Sequence, residues 1–79
     1  MASLYLLSTA GCHLCDTAVH ILNDRHIEFE LVEILDDDQL VAQYGDKIPV
    51  LIAQGAEQAL FWPFDASQIT QYKEYYGIS

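Results

Sequence analysis

Basic residues are scarce: three Lys and Arg stand against twelve Asp and Glu in 79 residues, for a formal charge of −9. A chain this acidic offers no counter-charge to phosphate, which excludes nucleic acid and anionic membrane surfaces as partners. The same charge repels free glutathione, itself an anion. Cysteine is also rare, with two copies, too few for the disulfide framework of a small secreted domain. No apolar run approaches the roughly 20 residues of a membrane-spanning helix. The apolar stretch Met1–Leu7 has no basic residue ahead of it and no clear cleavage pattern, so it does not read as a leader. Repeats, low-complexity stretches and linkers are missing as well. These absences predict one domain over residues 1–79, a monomer, in the reducing cytoplasm.

What is present argues for a folded globule. Hydrophobic residues make up 52% of the chain, with one Trp, five Tyr and three Phe, enough apolar surface for a small core. Leu4–Leu7 is a short apolar run and predicts a strand buried on both faces. From His13 to about Arg25, the residues Leu14, Ala18, Ile21 and Leu22 recur at helical spacing. Ile27-Glu28-Phe29-Glu30-Leu31 alternates apolar and acidic residues, the period of a half-exposed strand with its glutamates in water. Asp36-Asp37-Asp38 supplies a cap and first-turn carboxylates to a short helix closed by Gly45. Val50–Ala53 and Ala59–Trp62 read as a hairpin around Gln54–Gln58. Asp65 then caps a last helix with Ile69, Tyr72 and Tyr76 on one face. The order β-α-β-α-β-β-α implies an α/β fold: a four-stranded mixed sheet flanked by three helices.

The chemistry-bearing motif is Cys12-His13-Leu14-Cys15, straight after the first strand and opening a helix. A thiol there faces unpaired N–H groups and the positive end of the helix dipole, both of which stabilise a thiolate. A second thiol one turn on can attack a mixed disulfide made by the first. Three readings stay open on the residues. The first is dithiol–disulfide exchange, with Cys12 as nucleophile, Cys15 as resolving thiol and His13 able to stabilise the thiolate. The second is metal binding, either zinc with His13, His20 or His26, or an iron–sulfur cluster bridging two copies. No second CxxC or close His pair supports it, so no metal site is assigned. The third is a binding module with an idle pair. The aromatics of the last third read as core filling, with Trp62, Phe64 and Tyr75 alternatively lining a docking patch beside the site.

Together, the strand before Cys12-His13-Leu14-Cys15, the Ile48-Pro49-Val50 entry to the third strand and Phe64-Asp65 before the last helix resemble a minimal glutaredoxin of the thioredoxin fold. The resemblance covers essentially the whole chain and is nearest to small bacterial glutaredoxin-like proteins. It implies a redox-active thiol–disulfide oxidoreductase. Cys12 and Cys15 match the catalytic pair, and Pro49 matches a cis-proline against the site. Ile48 would offer backbone groups to a peptide or glutathione, with His13 beside it as a further substrate contact. Departures bear on the partner. The loop Ser8-Thr9-Ala10-Gly11 lacks the usual basic residue, Leu6 stands where thioredoxins bury an acid, and Trp62-Pro63-Phe64-Asp65 replaces a Gly-Gly-Asp stretch that receives glutathione. Pro63 has no N–H to donate. Glutathione is therefore disfavoured as a reductant, no cofactor is expected, and the expected partner is a disulfide-containing protein or a low-molecular-weight thiol.

Overall fold

Alternation along the first strand sorts the interior into two layers. In the computed structural model, which describes residues 3–77, strand β1 (Leu4–Ser8) sends Leu4 and Leu6 into one cluster and Leu7 into another. Strand β3 (Val50–Ala53) does the same, with Leu51 and Ala53 on the first face and Val50 on the second. β1 pairs in parallel with β2 (Glu30–Glu33) and antiparallel with β3, and β4 (Leu60–Phe61) closes the far side, giving the order β2-β1-β3-β4. The larger cluster takes Ala18 and Leu22 from helix α1 (His13–Asp24) and Ile69 and Tyr72 from helix α3 (Ala66–Tyr75). On the opposite face, Leu40 and Tyr44 of helix α2 (Asp38–Tyr44) pack with Leu7, Ile34 and Val50. The result is the mixed four-stranded sheet with three helices of a thioredoxin-like fold.

Helix ends follow the side chains available to them. Asp37 Oδ1 accepts from the N–H groups of Gln39 and Leu40 and starts α2. At α3 the caps are reciprocal: Asp65 Oδ1 accepts from Gln68 N–H at 2.9 Å, and Gln68 Oε1 accepts from Asp65 N–H at 3.0 Å.

The end of α1 differs from the sequence expectation. His26 N–H donates to Asn23 C=O and Ile27 N–H donates to Leu22 C=O, with His26 at φ +57. This is a Schellman closure, and Ile27 and Leu22 meet in the core as its apolar contact. Ile27 therefore belongs to the helix cap. The alternation read from Ile27 onward does not start a strand, and β2 begins at Glu30 instead. Glu28 and Glu30 are exposed, as expected, and so is Leu31. A short 3-10 turn, Ile34–Asp36, then buries Ile34.

Tyr72 ties α3 to the hairpin. Its hydroxyl oxygen accepts from Ala53 N–H at 3.0 Å, and its O–H donates to Gln58 C=O at 2.7 Å. Burial pushes the phenol pKa up, so the donor persists through neutral pH and the stability it contributes is lost only as pH rises into alkali. Tyr72→Phe strands the Ala53 N–H, and urea unfolding should show a loss of about 1–3 kcal/mol. At His26 the left-handed backbone suits glycine, so His26→Gly should raise stability by about 0.5–1 kcal/mol in the same measurement. A loss there would mean that the imidazole contributes more than the backbone relief.

Candidate functional site

Strand register decides what meets at the site. Ser8 of β1 pairs with Glu33 of β2, and Leu7 pairs with Val50 of β3. The carboxyl ends of the two parallel strands and the amino end of the antiparallel one therefore share one edge of the sheet. From Ser8 the chain turns through Thr9, Ala10 and Gly11 into Cys12. Gly11 holds φ +81, a backbone state that a residue without Cβ adopts at little cost.

Cys12 is the N-cap of α1. Its Sγ accepts from Cys15 N–H at 3.1 Å, and it is joined to Cys15 in a disulfide with Cα atoms 5.2 Å apart. The two sulfurs are not equivalent. Cys15 is only 3% exposed, whereas Cys12 is half-buried and reachable from solvent. In the reduced pair, charge placed on Cys12 meets an N–H donor and the positive end of a three-turn helix, while Cys15 is shielded from large reagents.

Pro49 is fully buried, and the Ile48–Pro49 peptide bond is cis. Ile48 lines an open groove of about 430 Å³ with Leu14, Asp46, Lys47, Phe61 and Trp62. His13 does not line it: it is exposed at the first position of α1, where its C=O accepts from Thr17 Oγ1. The residue between the cysteines that faces the groove is Leu14, half exposed at 50%. The aromatics divide. Phe64 fills the core and Trp62 packs edge-on against it, with centroids 5.1 Å apart. Trp62 and Phe61 border the groove, whereas Tyr75 sits at the other end of α3 and lines a separate hollow with Tyr72 and Tyr76. His20 and His26 are exposed. Among the described residues no three His, Cys, Asp or Glu side chains gather as a metal site, and no helix is long and apolar enough to cross a membrane.

Glu33 is the residue that sequence reasoning missed. Its Oε1 accepts from Thr9 Oγ1 at 3.2 Å and from Ala10 N–H at 3.1 Å, and its Oε2 accepts from Leu35 N–H at 3.2 Å. One carboxylate thus fastens the loop before Cys12 to the end of β2. Glu33, Asp16 and Cys15 also border a smaller cleft of about 300 Å³ on that side of the loop. The Leu35 N–H bond, followed by those from Ala10 and Thr9, holds the Glu33 pKa below its ordinary value, against the opposing effect of partial desolvation. The available signal was its place as the last residue of a strand parallel to β1, hidden because that strand was expected three residues earlier.

The sequence profile of a family described as a glutaredoxin-like domain (DUF836) matches residues 3–72. No curated protein matches the chain. Two structures of XcR50 from X. campestris, a Northeast Structural Genomics target, are similar to it. The X-ray structure is 38% identical with a TM-score of 0.81, covering 91% of this chain and 96% of that one. The solution structure is 39% identical with a TM-score of 0.80, covering 95% of each.

Because Glu33 has a lowered pKa, the stability it contributes is present above the ordinary carboxyl range and lost as pH falls through the folded value. Glu33→Gln keeps an acceptor for one end of the clamp only. Its unfolding midpoint should fall below that of the parent at neutral pH, and the two should converge in acid. A difference that stays constant with pH would rule out the carboxylate as the clamp.

Proposed function

The chain belongs to the glutaredoxin-like domain family, and on that premise we propose that it is a thiol–disulfide oxidoreductase working through Cys12 and Cys15. The observation that carries this reading is the position of the pair: a disulfide at a helix N-terminus, with a reachable sulfur at Cys12 and a sheltered one at Cys15. The groove beside cis-Pro49 supplies a place for the substrate backbone and its apolar side chains.

In the reducing direction the Cys12 thiolate attacks one sulfur of a substrate disulfide. A Cys12–substrate bond forms, the substrate S–S bond breaks, and the departing thiolate takes a proton from solvent. Cys15 then loses its proton and attacks Cys12 Sγ. The second substrate sulfur leaves and is protonated in turn. Two electrons pass from the pair to the substrate, which ends as two thiols, while the protein ends with the Cys12–Cys15 disulfide. A dithiol reductant runs the cycle back. The N-cap position sets the Cys12 sulfur against the Cys15 N–H and the positive end of the helix dipole, an environment that favours the thiolate form. Ile48 and Pro49 position the incoming chain, and the exposed His13 supplies a donor near the helix start. The partner is a protein disulfide or a small disulfide in a reducing cytoplasm, and no resident cofactor takes part.

Thiol trapping and intact mass across graded dithiothreitol redox buffers test this. The parent should show a single two-electron transition. Cys15→Ser should accumulate a mixed disulfide at Cys12, and Cys12→Ser should form none. Thiols that stay reduced in oxidising buffer, or that join only between molecules, would overturn the proposal.

A further inference from the structure

The groove and its surroundings are specific about charge. Its walls are apolar: Leu14, Ile48, Trp62 and Phe61, the last 45% exposed. Its two charged residues cancel, because Lys47 Nζ lies 3.5 Å from Asp46 Oδ1. The cleft on the other side of the Cys12 loop adds Asp16 and Glu33 and no cation. The other two basic residues are remote. Arg25 caps the far end of α1, whose 12 residues place it about 18 Å from the helix start. Lys73 follows Tyr72, which is anchored at Ala53, the end of β3 opposite Pro49. The field at the site therefore combines a formal charge of −9 with no unpaired cation nearby. Such a field concentrates positive substrates and slows negative ones.

Resting on the oxidoreductase reading, we propose that the groove selects a disulfide carried on a cationic peptide segment, with an apolar residue beside the reactive cysteine, and discriminates against glutathione. The apolar side chain covers Leu14 and Trp62. The basic flanks meet Asp16 and the overall field, Asp46 being paired with Lys47. Glutathione brings two carboxylates and only one ammonium, and it finds neither an unpaired Lys nor an N–H at Pro63 to receive them. The exchange is the one written above, with the peptide disulfide as oxidant of the dithiol.

Oxidation of the pair is followed by rapid-quench thiol trapping, with stopped-flow fluorescence of Trp62, the single tryptophan and a wall of the groove, as a second readout. The reduced protein is mixed with four probes: a lysine-flanked Leu-Cys peptide as its symmetrical disulfide, the same peptide with glutamate flanks, glutathione disulfide, and uncharged 2-hydroxyethyl disulfide. In about 0.01 M salt the lysine peptide should react at least about tenfold faster than the glutamate peptide and glutathione disulfide. That ratio should collapse in about 1 M salt, where screening acts within about 3 Å. Replacing the peptide leucine by glycine should slow the lysine probe severalfold, and Asp46→Lys should narrow the charge ratio. Equal rates for the two peptides, or glutathione disulfide as the fastest probe, would overturn the charge selection. Failure of every probe, including 2-hydroxyethyl disulfide, to oxidise the pair would instead overturn the oxidoreductase reading, and this inference with it.

Discussion

β1 is held from both sides, and the rest of the site depends on that grip. Tyr5 through Ser8 pair in parallel with Glu30 through Glu33, while Leu4 through Leu7 pair antiparallel with Ala53 through Val50. A slip of one residue in either ladder would turn Leu6 and Leu7 to the wrong faces, exchanging core residues between two clusters that are each already filled. The register is therefore fixed by burial. It delivers the Cys12 loop, Glu33 and Pro49 to the same edge without any direct bond between the cysteines and the proline being needed to assemble them.

Around that frame the site uses local chemistry in place of buried charge. A thioredoxin-like buried acid beneath the cysteines would compete with a thiolate for protons. Here Leu6 fills that place and is fully buried in the main cluster. The carboxylate of Glu33 is committed to three donors of the neighbouring loop and strand end, which favours its ionised form and makes it a tether more than a base. Stabilisation of sulfur charge is left to the helix end and to Cys15 N–H. The excess of negative charge is tolerable because these dipoles act at contact distance, whereas the surface carboxylates are screened by solvent.

Much of this was legible in the sequence, for identifiable reasons. Cys12 and Cys15 declare themselves by spacing after a strand, Pro49 through the resemblance to glutaredoxins, and Asp37 and Asp65 by standing directly before helical patterns. The amphipathic period of α1 and the double-sided burial of β1 follow from which residues are apolar. The start of β2 was not legible. Ile27 satisfies a strand period and a helix closure equally well, and only the tertiary contact with Leu22 decides between them. That three-residue displacement hid Glu33. The groove wall was half legible: Trp62 was a candidate, but Leu14 fitted the apolar period of α1 with Ala18, Ile21 and Leu22, and only the fold shows it half exposed at the groove.

The sheet has two free margins, and both are poor templates for a neighbouring copy. β4 is two residues long, so a chain arriving there finds few amide groups to pair with. β2 is longer, but Glu30 and Glu33 lie along it and Glu28 precedes it. A second copy adding to that side would bring glutamates within about 4.8 Å of glutamates, the spacing between paired strands. Repulsion at that distance opposes growth of a cross-molecular sheet even though Leu31 lies open on the same strand. The acidity that shapes the approach to the sulfurs thus also guards the molecule's flank, setting like charges against any strand that would add to the open edge of the sheet.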